Sequence, residues 1–228
     1  GRVDARGARR RPGGARRGGG GGDRTRGAVG PGRGVDPARP GPRGGTAAGG
    51  GAAEAASANN QTIRQFKIPK AVGEIPVSDV PSSSSWTPAT STFAGNFSAV
   101  GYYFAKYLQQ EIDVPVGIIN ASYGGARIEA YMSDEMLGYD ETFVSLAAGE
   151  PERQPTLIYN AMIYPLLRVP LKGILWYQGE SNADNWNDAL AYGDLFRKMI
   201  NSYRDLWQQP DMPFLWIQLP NYGTPATE

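Results

Sequence analysis

Two segments of the sequence place glycines and polar side chains directly behind apolar runs. The first, Asn120 to Glu129, reads N-A-S-Y-G-G-A-R-I-E, and the second, Trp176 to Ala183, reads W-Y-Q-G-E-S-N-A. Backbone N–H groups at Gly124 and Gly125 can approach an anion closely, because glycine has no side chain and tolerates positive φ. The side-chain amide of Asn182 is a donor of the kind that stabilises a developing oxyanion. Each segment could therefore supply a hydrogen-bond donor to an oxyanion.

Each segment also has a simpler explanation. The glycine pair would equally serve as a tight strand-to-helix turn, and Asn182 would equally serve as the cap of the helix that follows it.

A cation loop is a further candidate in the next residues, but Trp186 occupies a position where such a loop has an oxygen ligand. Helix capping and solvation explain the polar residues there, and no metal site is predicted. These polar residues are Asp184, Asn185, Asn187 and Asp188.

The sequence contains no His and no Cys. The absence of His removes the commonest general base and the commonest transition-metal ligand together. The absence of Cys excludes disulfides and thiolate zinc sites. No metal or other cofactor is therefore predicted for this chain.

Residues 1–60 differ in composition from the rest of the chain. They hold 19 of the 31 glycines and 12 of the 23 basic residues, and they contain no aromatic residue, leucine or isoleucine. Such a segment cannot bury a core, so we predict a disordered leader over 1–60 and one folded domain over 61–228. Arg-Gly-Gly triplets at Arg17 and Arg43 are compatible with RNA binding. The aromatic residues that accompany such tails are missing, which favours a linker or a stretch that is not a natural terminus.

Apolar periodicity after residue 60 predicts strands that alternate with helices. Strands are predicted at 63–68, 116–119, 173–177 and 214–219, and helices at 97–112, 156–167 and 186–207. Pro69 and the Ser-rich run after Pro81 predict a long surface loop, with Trp86 folding back onto the body. The expected fold is an α/β domain with an open, mainly parallel sheet and flanking helices. Functional groups are expected at the carboxyl ends of its strands.

No apolar run approaches the roughly 18 residues that a membrane span requires, so no transmembrane helix is predicted. Basic residues at the start are followed by no apolar stretch, so no signal peptide is predicted. Localisation and oligomeric state stay open.

The segments I-N-A-S-Y-G-G-A-R-I-E-A-Y and K-G-I-L-W-Y-Q-G-E-S-N-A closely resemble blocks of sialate O-acetylesterases and related SGNH hydrolases. The flanking F-S-A-V-G-Y-Y-F-A and L-I-Y-N-A-M-I-Y-P-L-L also fit, so the resemblance covers about residues 61–222. It implies the flavodoxin-like SGNH fold, a serine esterase mechanism without metal or cofactor, and an acetylated carbohydrate as substrate. The oxyanion hole of that family corresponds to Gly125, with Gly124 as the alternative, and Asn182. Gln178, Glu180 and Ser181, the other polar side chains of the second segment, are candidates for substrate binding, although Glu180 would equally order the glycine turn as a structural carboxylate.

The sequence departs from the family in two blocks. The serine normally lies in a G-Q-S-N block before the stretch that resembles residues 63–69, and the Asp and His lie in a D-x-x-H block near the end. Neither block is present in this sequence. We therefore expect a central fragment of the domain, incomplete at both ends and inactive by itself.

Three further interpretations stay open. Ser181 lies in G-E-S-N-A, which approximates a nucleophile elbow, although the last glycine is replaced and no His can serve it. Glu129 and Glu180 both follow predicted strands, and paired carboxylates are how most glycosidases work. A non-catalytic sugar-binding lobe would use aromatic faces near the strand ends. The aromatic residues in question are Trp176, Tyr177, Trp186 and Tyr222.

Overall fold

The computed structural model describes residues 47–81, 83–138 and 150–220 and confirms the mixed α/β class. The helices are α1 (Ala47–Ser57), α2 (Ala99–Ile112), α3 (Asp134–Leu137) and α4 (Trp186–Leu206). The strands are β1 (Asn59–Lys67), β2 (Trp86–Thr90), β3 (Val116–Asn120), β4 (Ile174–Trp176) and β5 (Phe214–Trp216). Single helical turns lie at Ala94–Asn96, Ile128–Tyr131, Pro151–Arg153, Tyr159–Ile163, Tyr164–Arg168 and Glu180–Asn182.

The strands form two separate sheets within the described residues. One sheet has the order β2-β1-β3, with β1 and β3 parallel, and the other pairs β4 with β5, also in parallel. The single open sheet that we expected is therefore divided between β3 and β4. No described strand lies beside the second edge of β3 or of β4, so no hydrogen-bonded strand connects the two sheets.

The expectation of a continuous loop before residue 97 is wrong at one place. Trp86–Thr90 forms β2, which runs antiparallel to β1 at the edge of the sheet. Pro88 is tolerated there because an edge strand does not need every backbone donor. The predicted return of Trp86 onto the body is confirmed, since its ring lies 5.5 Å from that of Phe66. A side chain on Gly117 would place its first carbon 3.0 Å from the same Trp86 ring, so the ring would have to shift to accommodate it.

Helix α2 covers one face of the three-stranded sheet. Ser98 caps the helix by accepting a hydrogen bond from Gly101 N, and Asp113 ends it in the left-handed conformation. A side chain at Gly101 would come within 2.9 Å of Ile118 on β3, so glycine allows the helix to approach the strand closely. The contact encloses a small core, whose buried members are Ile63, Ala89, Tyr102 and Ala105.

Helix α4 and the chain between residues 126 and 169 enclose the larger core. Asn185 caps α4, and the helix buries Leu195, Met199 and Tyr203 on one side. The ring of Phe196 lies 6.0 Å from Trp176 and 5.7 Å from Phe214, which fastens α4 to β4 and β5.

Residues 156–167 were expected to be helical, and the chain is helical from 157 to 168, although not as a regular α-helix. The segment forms a π-helical turn at Tyr159–Ile163 and a tighter 3₁₀ turn at Tyr164–Arg168. Pro165 explains the difference, because it has no N–H to complete an α-helical hydrogen bond and its ring crowds the preceding turn.

The end of the predicted leader contains ordered elements. Helix α1 spans Ala47–Ser57 and β1 begins at Asn59, whereas residues 1–46 lie outside the described residues. Glu54 of α1 accepts a hydrogen bond of 2.9 Å from the Tyr102 hydroxyl and forms an ion pair with Lys106. Within the described ranges, no helix is long and apolar enough to cross a membrane.

Candidate active site

The chain segments that follow β3 and β4 lie against each other. Ser181 Oγ donates a 2.8 Å hydrogen bond to Gly125 O, and Gln178 Nε2 donates one of 3.0 Å to Ala126 O. Ile128 N donates a third bond, of 2.9 Å, to Asn182 Oδ1. The two segments that the sequence singled out are therefore neighbours, joined at Gly125 and Asn182.

Asn182 is the most enclosed polar residue of the site, with 1% of its surface exposed. Its Nδ2 donates to Glu129 Oε2 at 2.9 Å, while its Oδ1 also accepts a 3.0 Å bond from Gln178 Nε2. Asn182 does not cap the next helix, because Asn185 does so. The carboxamide nitrogen carries two hydrogens, and within the described residues one hydrogen bond from it is found.

Gly125 has a φ of +83°, a conformation that favours glycine over any residue with a side chain. Gly124 beside it does not have a positive φ, and both glycines are exposed. The helix that follows is a single 3₁₀ turn at Ile128–Tyr131. The strand-to-helix turn that the glycine pair suggested therefore leads into one short 3₁₀ turn.

Glu129 is held in the interior by two donors. Besides the Asn182 amide, its carboxylate lies 3.4 Å from an amino nitrogen of Arg127. The same nitrogen of Arg127 forms an ion pair with Asp188 in the first turn of α4. Arg127 Nε is buried and has no hydrogen-bond partner among the described residues, so the guanidinium relies on these two carboxylates. The network connects the glycine loop to α4.

The glycosidase interpretation is not favoured by this arrangement. Glu129 is 3% exposed and already bonded to Asn182 and Arg127, whereas Glu180 is exposed at the surface. A glycosidase requires two carboxyl groups that both face the sugar. Ser181 is also buried, and its hydroxyl is occupied by Gly125 O, which does not favour it as a nucleophile.

Two tyrosine hydroxyls form hydrogen bonds with residues of the site. The Tyr131 hydroxyl accepts a hydrogen bond from Tyr123 N and donates to Ala121 O, and burial raises the pKa of Tyr131 to about 12. The Tyr192 hydroxyl lies 2.9 Å from Gln178 Oε1 and accepts a hydrogen bond from Trp176 Nε1. Burial likewise raises the pKa of Tyr192. Both hydroxyls therefore stay neutral at ordinary pH and serve as fixed hydrogen-bonding groups.

The aromatic residues proposed for sugar stacking divide into two groups. Trp176 belongs to the core, because its ring packs against Tyr131 and Phe196. Tyr177 and Trp186 are exposed, Trp186 by 75% of its surface. Tyr222 lies outside the described residues.

Sequence reasoning missed several groups that organise the site. Arg127, Tyr131 and Tyr192 had no assigned role, Asp188 was assigned to helix capping and solvation, and Glu129 was considered only as one of a pair of glycosidase carboxylates. The quoted motif A-R-I-E contained a signal, since Arg and Glu two positions apart inside an apolar segment indicate paired burial. No local signal pointed to Asp188, which meets Arg127 only through the fold.

Comparison with known proteins gives a consistent picture. Residues 82–228 match the family model described as carbohydrate esterase, sialic acid-specific acetylesterase. The chain is 30% identical to mouse sialate O-acetylesterase over 206 residues, covering 71% of this chain and 38% of the relative. It is also 30% identical to human sialate O-acetylesterase over 167 residues, covering 65% of this chain and 30% of the relative.

A solved structure is also similar. A carbohydrate acetylesterase from Xanthomonas citri superimposes with a TM-score of 0.68 and 40% identity, over 75% of this chain and 37% of that protein. The chain thus spans between 30% and 38% of the length of these relatives.

Proposed function

Because the chain belongs to the sialic acid-specific carbohydrate acetylesterase family, we propose that it forms part of an enzyme that removes O-acetyl groups from sialic acid or other acetylated sugars. The observation that carries the proposal is the direct contact between the segments after β3 and β4. Three hydrogen bonds hold Gly125 and Asn182 on adjacent loops. Esterases of the serine type need such a pair of donors on neighbouring loops.

The proposed role of Gly125 and Asn182 is to stabilise the negative oxygen of the tetrahedral intermediate. The backbone N–H of Gly125, or of Gly124 as the alternative, and the second N–H of the Asn182 amide would donate to that oxygen. The bond from Asn182 to Glu129 keeps the amide oriented, so that its remaining hydrogen has a fixed direction. Removal of one oxyanion donor typically lowers kcat on the order of a hundredfold.

Gln178, Glu180 and Ser181 are proposed to shape the substrate side of this site. Gln178 and Ser181 act by bonding to the glycine loop, and Glu180 is the exposed member that a sugar hydroxyl can reach. No metal or cofactor is part of the proposal.

The proposal includes the SGNH fold of flavodoxin-like type. It is supported by the parallel pairing of β1 with β3 and of β4 with β5, and by the similarity to the Xanthomonas citri acetylesterase. In that fold the catalytic serine, histidine and aspartate would lie at the carboxyl ends of the strands, on the same side of the sheet as Gly125 and Asn182. The 228 residues contain no His, so we propose that they do not hydrolyse esters by themselves.

A second candidate is a sugar-binding lobe without catalysis. The exposure of Tyr177 and Trp186 favours it, because exposed aromatic faces can stack on pyranose rings. Such a lobe would bind acetylated and deacetylated sugars equally.

The test compares residues 1–228 with the longest polypeptide that the parent DNA encodes around them. Acetate release is measured with O-acetylated sialic acid and acetylated xylose, and nitrophenol release with nitrophenyl glycosides. We expect the longer polypeptide to release acetate, the 228-residue chain to release none above background, and neither to cleave glycosides. In the longer polypeptide, Asn182→Ala should lower kcat on the order of a hundredfold. Acetate release unaffected by that substitution would contradict the proposed oxyanion role.

A further inference from the structure

A lysine lies beside the glycine loop of the candidate site. The Lys70 ammonium is 5.0 Å from the centre of the Tyr123 ring. A side chain on Gly124 would place its first carbon 4.0 Å from the same ammonium. Lys70 is exposed, so its charge faces solvent at the mouth of the loop.

Lys70 differs from the other cations around this loop in having no ion pair among the described residues. Arg127 pairs with Glu129 and Asp188. Arg153 pairs with Glu150 and Asp184. The charges of both arginines are therefore neutralised locally, whereas the charge of Lys70 remains available to an anion.

The position of Lys70 is well defined by its neighbours. Ile68 N donates a 2.9 Å hydrogen bond to Asn120 O, and Pro69 then restricts the backbone before Lys70. Tyr123 is fixed through its backbone N–H, which donates to the Tyr131 hydroxyl. An exposed cation–π contact stabilises by roughly 0.5 to 1 kcal/mol, so the ring positions the ammonium without neutralising its charge.

A carboxylate also lies beside the loop, so the two ends of the loop carry opposite charges. A side chain on Gly125 would lie 3.6 Å from the Glu152 carboxylate. The loop thus has a cation beside Gly124 and a carboxylate beside Gly125. An anionic ligand would place its charge toward Lys70 and its neutral part toward Gly125.

From this arrangement we propose that Lys70 binds the carboxylate of an acidic acetylated sugar, a sialic or uronic acid, and selects it over neutral sugars. The proposal rests on the proposed function, since it concerns the same loop. Pairing with the sugar carboxylate at Lys70 orients the ring, and the acetyl ester then extends toward Gly125 and Asn182. Lys70 is thus a specificity-determining residue that touches the substrate away from the ester.

The test measures binding rather than hydrolysis, with the full 228-residue chain. The methyl ester of N-acetylneuraminic acid lacks the negative charge of the acid and adds one methyl group. The dissociation constants of both are measured from the amide NMR shifts of Tyr123 and Gly124. We expect the acid to bind about fivefold more tightly than the ester, as for an exposed ion pair. Lys70→Gln should remove this preference, and Lys70→Arg should restore it.

Lys67→Gln is the matched control, because Lys67 is also exposed but lines a separate cavity of about 290 Å³. It should leave the preference unchanged. Equal binding of acid and ester by the unaltered chain, binding of neither, or a preference that survives Lys70→Gln would each overturn the role of Lys70. Acetate release in the separate hydrolysis assay would still support the esterase function in those cases. Conversely, a carboxylate preference without hydrolysis by the longer polypeptide would overturn the esterase proposal alone.

Discussion

Asn182 Nδ2 lies 2.9 Å from Glu129 Oε2, and both side chains are buried. The contact joins residues 53 positions apart in the sequence. It gives a buried carboxylate a hydrogen-bond donor, and it fixes the amide that the proposed mechanism requires. Asn182 thus supports both the stability of the domain and the geometry of the site.

Asn182→Ala should destabilise the domain by about 3 kcal/mol, because the substitution removes the amide donor to the buried Glu129 carboxylate and leaves the buried N–H of Ile128 without its acceptor. Urea unfolding followed by circular dichroism measures the loss. Asn187→Ala, in the same chain region but exposed, is the control and should change the free energy of unfolding by less than about 0.5 kcal/mol. Equal effects of the two substitutions would show that the buried bonds of Asn182 are unimportant.

Asp188→Asn should also destabilise the domain, by roughly 3 kcal/mol, because the buried Arg127 loses one of its two carboxylates. The amide keeps the size of the side chain, so the effect reports the charge. Asp194→Asn breaks an exposed pair with Arg197 on the same helix and should have no measurable effect. Chemical denaturation of both variants measures the difference, and a stable Asp188→Asn variant would contradict the role of the network.

Gly125→Ala should destabilise the loop by roughly 1 to 2 kcal/mol, because residues with a side chain are strained at a φ of +83°. Gly124→Ala is the neighbouring control, since Gly124 lacks a positive φ and a side chain there meets only the end of Lys70. Thermal unfolding of the two variants should separate them clearly. Equal melting temperatures would mean that the loop adopts another conformation in solution.

Stability should fall at alkaline pH because burial raises the pKa of Tyr131 from 10.0 to about 12. The folded state favours the neutral hydroxyl, so this contribution is complete below pH 10 and is lost as the pH rises toward 12. Urea midpoints across this interval measure the loss. Tyr131→Phe removes the ionisable hydroxyl and should make the pH dependence shallower, whereas an unchanged dependence would exclude Tyr131 as its source.

At acid pH the contact between α1 and α2 should weaken. Hydrogen bonds from Lys106 and then from Tyr102 lower the pKa of Glu54 below its ordinary value of 4.5. The stabilisation is therefore present above pH 4.5 and is lost as the pH falls below that value. Hydrogen exchange of α1 amides measures the change. Glu54→Gln should make exchange fast already at neutral pH, while Glu111→Gln, exposed on α2, should not.

Local periodicity was sufficient for the elements that have a clear apolar face. Both α2 and α4 were predicted to within two residues at each end, and the cores of β1 and β3 were predicted as well. Strand β2 was missed because it contains Pro88 and lacks an alternation of apolar and polar residues. Its pairing with β1 stabilises the extended conformation instead. Helix α1 was missed for a similar reason, since its attachment depends on the distant Lys106 and Tyr102.

The site was predictable to the extent that its chemistry is local. Gly125, Gln178, Ser181 and Asn182 come together as the two motifs suggested. The partners that hold them could not be predicted, because the contact between Arg127 and Asp188 depends on how α4 is placed. The division of the sheet was equally invisible, since each strand satisfies its own apolar pattern whether or not a neighbour is beside it.

The two sheets leave β3 and β4 with one side each on which, within the described part of the chain, backbone donors and acceptors meet no strand. Such a side can accept any extended peptide, including another molecule of the same chain. The net charge of +1 offers little mutual repulsion against that reaction. Aggregation should therefore increase steeply with protein concentration. It should decrease when a soluble strand-forming peptide competes for these strand edges, and light scattering measures both effects.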